Sequence, residues 1–465
     1  MKKSIMAFIL VSIFFVGLSV MASETKLPVP ELETLPNGMQ LVWFLNPSLP
    51  VIDMAVLVKS GSRDDPSGKS GTCELLADTI DRGVDGMSSQ SFARAVEVLG
   101  ASRYASADED TMSIGMHGLS SDALALLNLM SKVVLHPDFP ASEVAREHAR
   151  LVDRWGHLGD ASESLVGLTF RRILTSGTTY GRGSFVSIKE FGNVDRGDLL
   201  GFYQKHITPK NTVLMIVGRV DKVEFKKKIL ELFGNWQGEA PTHEYKKFVD
   251  KRLPSGKHEI VLVGRSGLTQ AQVRMGFPSP GIKAPEHYSL TVANALLGGY
   301  FNSRLNSLIR DKLGLTYGIG SSFSYSKDDA SFGISSATRN ESVGQLIKKT
   351  LEVLGELKKG PISKEEVDTA KEYLVGQFPL STSTLGAVAA RWLAGFIFDL
   401  GPGYLNEFVP KVESVSNEDV LRAMVKDLDL KNITIVVSGD PEPIRKSLIQ
   451  SKLGPIKSVS LKDLQ

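Results

Sequence analysis

The chain has 465 residues, 42% of them hydrophobic and 23% charged, which is enough to bury the cores of two or more domains and excludes extended disorder. Its 54 basic and 52 acidic residues leave a formal charge of +2, so no strong field points it at nucleic acid, a membrane surface or an acidic substrate. A single cysteine, Cys73, excludes an internal disulfide.

Lys2 and Lys3 precede an apolar run from Ile5 to Met21 that ends in Val20-Met21-Ala22, a small-residue cleavage pattern. Because Ser12, Gly17 and Ser19 interrupt the run, it predicts a signal peptide over residues 1–22, cut after Ala22, rather than a retained anchor. No later stretch is long and apolar enough to cross a bilayer, so the mature chain is expected to be soluble, without a membrane span, in the periplasm or otherwise secreted. Gln40 to Phe44 and Asp53 to Lys59 read as a strand pair opening a first repeat over residues 30–236. A polar, turn-rich stretch from Gly61 to Gly71 then leads into a short helix. There Cys73, Leu76, Ala77 and Ile80 follow the i, i+3, i+4, i+7 spacing of a core-facing stripe. Glu74 and Asp78 are i, i+4 neighbours on the adjoining face, and alone they read as solvated carboxylates. Helical spacing recurs in Ala123 to Val134 and Ser142 to Trp155.

Residues 237–257, rich in Lys, Pro and Gly and poor in periodicity, read as a linker. The plan then restarts over residues 258–450. Strands are expected at Glu259 to Val263 and Gln270 to Phe277, where Ala271, Val273, Met275 and Phe277 alternate, and helices at Val343 to Leu357 and Lys364 to Val375. An internal repeat supports this division. Val194 to Gly218 overlies Val415 to Gly439 without a gap at a shift of 221 residues (431 − 210), matching Asp198 to Asp419, Lys210-Asn211 to Lys431-Asn432 and Gly218 to Gly439. Each copy is an acidic helix start, an amphipathic helix, a Lys-Asn turn and a β-branched strand closed by glycine. The fold class read from this order is α+β, with two homologous mixed repeats, each an antiparallel-rich sheet covered by helices.

The stretch GSRDDPSGKSGTCELLADTIDRG, from Gly61 to Gly83, resembles the start of the pitrilysin/insulinase metallopeptidases, where a similar run leads into HxxEH. In that family two histidines one turn apart bind zinc and the glutamate polarises water. The three matching positions here are Glu74, Ala77 and Asp78, so both imidazoles and the general base are missing. None of the eight histidines has another four residues away, which excludes a displaced copy of the motif. The family's remaining ligand is a glutamate on a later helix, and the resemblance leaves Glu147 and Asp153 both open for that position. LLGGYFNSRLNSLIRDKLGLTY, from Leu296 to Tyr317, resembles the family's second signature, an arginine and a tyrosine seven residues apart that match Arg310 and Tyr317. The resemblance implies that these two point at a bound peptide, the guanidinium to hold it and the phenol to stabilise an oxyanion. Gly298 and Gly299 precede that helix where a tight turn is expected. Ala101 to Thr111 and Met112 to Met116 correspond to the family's peptide-pairing edge strand.

In two-chain members of the family, one subunit carries HxxEH and a similar one lacks zinc but keeps the arginine and tyrosine. The resemblance therefore implies a subunit that binds extended peptide and lends Arg310 and Tyr317 in trans. It implies no cofactor in this chain and zinc in a homologous HxxEH partner; with so small a net charge, no nucleic-acid partner is expected. A catalytically inactive peptide-binding or scaffold homodimer is the alternative. A metallopeptidase with an unorthodox metal site at Glu74 and Asp78 is a further alternative, weakened because Ala77 can accept no proton.

Overall fold

The computed structural model describes residues 26–157, 161–183, 188–243, 245 and 259–459. The expected signal peptide, and most of the expected linker, lie outside the described residues. Strands β1 (Glu31–Thr34), β2 (Gln40–Leu45), β3 (Val51–Val58), β4 (Ser102–Ala107), β5 (Met112–Leu119) and β6 (Thr212–Gly218) form a six-stranded sheet in the order β1-β2-β6-β3-β5-β4. A second six-stranded sheet contains β7 (Glu259–Gly264), β8 (Gln270–Pro278), β9 (Ile319–Tyr325), β10 (Ala330–Arg339), β11 (Thr434–Gly439) and β12 (Ile456–Val459). Its order, β12-β7-β11-β8-β10-β9, repeats the first. The two sheets share a central parallel pair, β2 with β6 and β7 with β11, beside antiparallel pairs. Only the rim differs, since β1 runs antiparallel to β2 and β12 runs parallel to β7.

Helices α1 (Thr72–Thr79), α2 (Ala123–Leu135), α3 (Ala141–Gly156), α4 (Ser162–Thr175) and α5 (Arg196–His206) precede the linker in sequence. Helices α6 (Val343–Lys359), α7 (Lys364–Ser381), α8 (Leu385–Ile397) and α9 (Asn417–Asp427) follow it. The matched acidic starts are reciprocal caps. Asp195 accepts from the Asp198 N–H at 3.1 Å while Asp198 accepts from the Asp195 N–H at 2.9 Å, and Ser416 and Asp419 do the same at the start of α9. Gly218 closes β6 at φ +121°, where an added Cβ would lie 2.2 Å from the Val51 carbonyl oxygen.

The central strands are apolar on both faces, as sheets covered on both sides require. One face of the first sheet, with Leu41, Trp43, Ile52, Met54, Leu214 and Ile216, packs on α1, α2 and α3. Its other face, with Val42, Phe44, Leu57 and Val217, is covered by Val388, Ala389 and Trp392 of α8, a helix from beyond the linker. The exchange is reciprocal. Leu165, Val166, Phe170 and Leu174 of α4 cover Val261, Val263 and Val436 of the second sheet. Each buried side chain of this size contributes about 1.5–3 kcal/mol of transfer free energy, so the exchange binds the halves firmly. Polar contacts add to the seam, as Arg171 of α4 reaches Glu109 at 3.0 Å and Asp329 at 3.2 Å. Among the described residues, no helix is long and apolar enough to cross a membrane.

Candidate functional site

Helix α1 begins at Gly71, held at φ +92°, where a Cβ would meet the rings of Phe191 and Trp155. Asp65 satisfies its free N–H groups, accepting from Gly71 at 2.7 Å and Cys73 at 2.8 Å. Cys73, Leu76, Ala77 and Ile80 are all buried, which fixes the helix's rotation and turns Glu74 and Asp78 towards α3. The two carboxylates are not solvated as they would be on a free helix. Arg150 donates to Asp78 at 2.7 Å, and Arg154 reaches Glu74 at 3.2 Å and Asp78 at 3.4 Å. Burial pushes both carboxyls above their ordinary range, against the pull of Arg154 and Arg150.

The third acidic member is Glu147, only 3% exposed. It accepts from Arg150 Nε at 2.5 Å and lies 3.5 Å from Arg82 and 3.3 Å from Arg146. Burial alone would raise its pKa, but the hydrogen bond from Arg150 and the charge of Arg82 hold it below the usual range. Of the two positions left open by the sequence, the structure brings Glu147 into the cluster. Asp153 lies exposed beside His157. Neither reaches Glu74 or Asp78 directly. The α3 side chains that do are Arg150 and Arg154, which engage the carboxylate oxygens that a cation would need.

The donor set therefore does not fit zinc. It offers two carboxylates, no imidazole and two guanidinium groups whose charge repels a metal ion. His148, the nearest histidine in sequence to Glu147, is turned away, stacked on Phe191 at 4.3 Å and bonded to the Phe191 carbonyl oxygen at 3.0 Å. Among the described residues, no group of three or more His, Cys, Asp or Glu side chains is placed to hold a metal ion. Sequence reasoning missed the arginines, although a signal was there. Arg146, Arg150 and Arg154 recur every four residues on α3, the spacing of Glu74 and Asp78 on α1.

The second motif is built quite differently. Two π-helical segments, Ala295–Gly299 and Asn306–Lys312, carry it. Gly298 is required by close approach, since a Cβ there would lie 2.5 Å from Ser321 Oγ of β9. Asn306 donates to the Ile319 carbonyl oxygen at 2.8 Å and accepts from its N–H at 3.2 Å, docking the helix on β9. Arg304 makes a two-pronged bond with Glu366 of α7, at 2.7 and 2.9 Å, and holds that carboxyl down to about 2. Thr316 donates to the Ala337 carbonyl oxygen at 2.6 Å and fixes the loop.

On this anchored frame the two signature side chains have little to hold them. Tyr317 is 95% exposed. The Arg310 guanidinium stacks on the exposed ring of Phe301 at 3.8 Å, lies 3.7 Å from Asp311, and has a buried Nη1 with no hydrogen-bond partner. Neither residue bonds to the α1–α3 cluster. The expected edge strand resolves into β4, at the rim of the first sheet, and β5 beside it.

Comparison with known proteins places this geometry in context. The family model described as insulinase (peptidase family M16) matches residues 45–175, and that described as peptidase M16 inactive domain matches residues 193–374. An uncharacterized zinc protease of Mycobacterium tuberculosis is 25% identical over 431 residues, covering 90% of this chain and 95% of its own length. The uncharacterized zinc protease YmxG of Bacillus subtilis is 24% identical over 365 residues, covering 77% and 86%. Among solved structures, a peptidase M16 inactive domain from Pseudomonas fluorescens superposes with a TM-score of 0.80 at 23% identity, covering 88% of this chain and 98% of that one. A protease from Helicobacter pylori gives 0.78 at 21% identity, covering 89% and 100%. At these identities the two superpositions speak for the fold alone.

Proposed function

Since the chain belongs to the insulinase (M16) family of peptidases, we propose that it is the zinc-less subunit of an extracytoplasmic endopeptidase, binding extended peptides and lending Arg310 and Tyr317 to a homologous partner that carries HxxEH. The observation that carries this reading is the contrast between the two motifs. One is closed by its own ion pairs, whereas the other leaves a part-exposed guanidinium, paired only loosely with Asp311, and a fully exposed phenol. The HxxEH residues of the partner would hold the zinc, which would supply the polarisation of the water and the scissile carbonyl. The residues of this chain bind and orient. The Arg310 guanidinium offers planar donors to peptide oxygens, and the Tyr317 hydroxyl donates a hydrogen bond where negative charge develops on the attacked oxygen. Export rests on the two lysines and the apolar run that open the chain.

The test is to purify residues 23–465 alone and after co-expression with an HxxEH homologue from the same source, and to follow bound zinc and peptide cleavage. The lone chain is expected to be silent and the complex active. Arg310→Ala should leave assembly intact and lower kcat by about a hundredfold or more. Cleavage at the wild-type rate by that variant would refute the role. Absence of any complex would shift the reading to a peptide-binding homodimer.

A further inference from the structure

Phe301 lies within the Leu296–Tyr317 stretch but is neither of its two signature residues, and its placement is unusual. It is a large apolar ring, 63% exposed, on the turn between the two π-helical segments. Both flanks of that turn are pinned. Gly298 packs against Ser321, the neighbouring Tyr300 stacks on Tyr373 of α7 at 5.0 Å, and Ser303 is fully buried. An exposed ring on a rigid turn loses little conformational freedom when it binds. One side of it already has a partner, since the Arg310 guanidinium lies 3.8 Å from its centroid, well within cation–π range. The remaining surface faces outward, as does Tyr317.

We propose that Phe301 is a positioning and specificity residue: its ring holds the Arg310 guanidinium in place for a peptide carbonyl, and its open surface takes an apolar side chain of the same peptide. The inference deepens the reading that this chain binds extended peptide at Arg310 and Tyr317, and it rests on that reading. Two features define the ligand. The Arg310 side chain is 28% exposed and only loosely paired with Asp311, so its open donors ask for a carbonyl oxygen. The ring beside it is apolar, so it asks for an aliphatic or aromatic side chain within reach of that carbonyl, and it disfavours a carboxylate or ammonium that would lose water against it. The substrate class is thus an extended peptide carrying a large apolar residue at the position that meets Phe301.

The experiment uses the full mature chain without a partner and two fluorescein-labelled unstructured peptides that differ by leucine or aspartate at one central position. Fluorescence anisotropy should show the wild type binding the leucine peptide about tenfold more tightly, the step that ~1.4 kcal/mol produces. Phe301→Ala should abolish the preference and weaken both peptides. Phe301→Leu should keep the preference but lose the guanidinium's share of the affinity, and Phe301→Tyr should restore both, a pattern that a merely structural residue would not give. Equal thermal midpoints for the variants would exclude unfolding as the cause. A preference that survives Phe301→Ala, a Leu variant indistinguishable from Tyr, or a wild type with no preference overturns the inference. Because no partner or zinc is needed, it can fail while the Arg310→Ala complex still loses turnover, and the reverse can also occur.

Discussion

The two sheets share one strand order, but their two motifs have opposite electrostatic states. In the first half, Glu74, Asp78 and Glu147 face Arg82, Arg150 and Arg154, and every charge has an opposite partner. In the second, Arg304 is tied to Glu366 while Arg310, six residues later, is part exposed and held only by Phe301 and a loose pair with Asp311. A group that satisfies its neighbours stabilises the fold, whereas a group held by loose contacts at the surface is available to a ligand. The comparison teaches that loss of a metal site is not a simple subtraction. Two carboxylates stand where the family has histidines, and two guanidinium groups supply the positive charge they need.

The most severe way to break the comparison is to rebuild the metal site. Glu74→His, Ala77→Glu and Asp78→His together should still bind no zinc in equilibrium dialysis, because the charges of Arg150 and Arg154 lie against those positions. Adding Arg154→Glu removes the guanidinium that touches both positions and supplies a third ligand. Micromolar or tighter zinc binding should then appear, about 8 kcal/mol of binding free energy. Zinc uptake by the triple variant would show that the arginines do not block the site.

Acid provides the next largest effect. Burial pushes the His206 imidazole down to about 4, and its Nδ1 lies 2.9 Å from Ser60 Oγ just before the segment leading into α1. In the unfolded chain the ring titrates near 6.5, so between pH 6.5 and 4 the unfolded state takes up a proton that the folded state refuses. Stability is complete above pH 6.5 and falls as the pH drops towards 4, by up to about 3 kcal/mol. Urea midpoints at pH 7, 5.5 and 4.5 should decline, and His206→Gln should flatten the decline.

Smaller effects follow from single charges. Arg150→Ala with Arg154→Ala leaves Glu74 and Asp78 side by side without a counter-charge, takes from buried Glu147 its closest partner, and should lower stability by about 2 kcal/mol in urea melts. Arg310→Ala removes only the contact with Phe301 and the loose pair with Asp311, so it should change stability by no more than about 0.5 kcal/mol while turnover of the complex falls. An Arg310→Ala chain as unstable as the double variant would erase the distinction between the two motifs.

Much of the architecture was legible in the sequence. Alternation in Ala271 to Phe277 and the 221-residue shift with its Asp198/Asp419 and Gly218/Gly439 matches point to two like sheets, because periodicity and turn chemistry are local properties. The helix exchange was not legible. The apolar stripe on α4 says that Leu165, Val166 and Phe170 are covered, but not by which sheet. Nor was the closure of the α1 site, since pairing across α1 and α3 depends on a helix rotation set by Trp155 and Leu151 in the core. At Arg310 the resemblance singled out the residue, but the stacking of its guanidinium on Phe301 is a contact that no spacing marks.

The reciprocal crossing of α4 and α8 bears on what counts as a unit in this molecule. A polypeptide ending at the linker would carry α4 with nothing beneath it and a first sheet stripped on the face that Trp392 covers, so it should aggregate rather than behave as a domain. Severing the linker after folding should leave the two pieces clasped. The smallest self-sufficient body is the pair, arranged as a domain-swapped dimer whose two copies have been joined end to end.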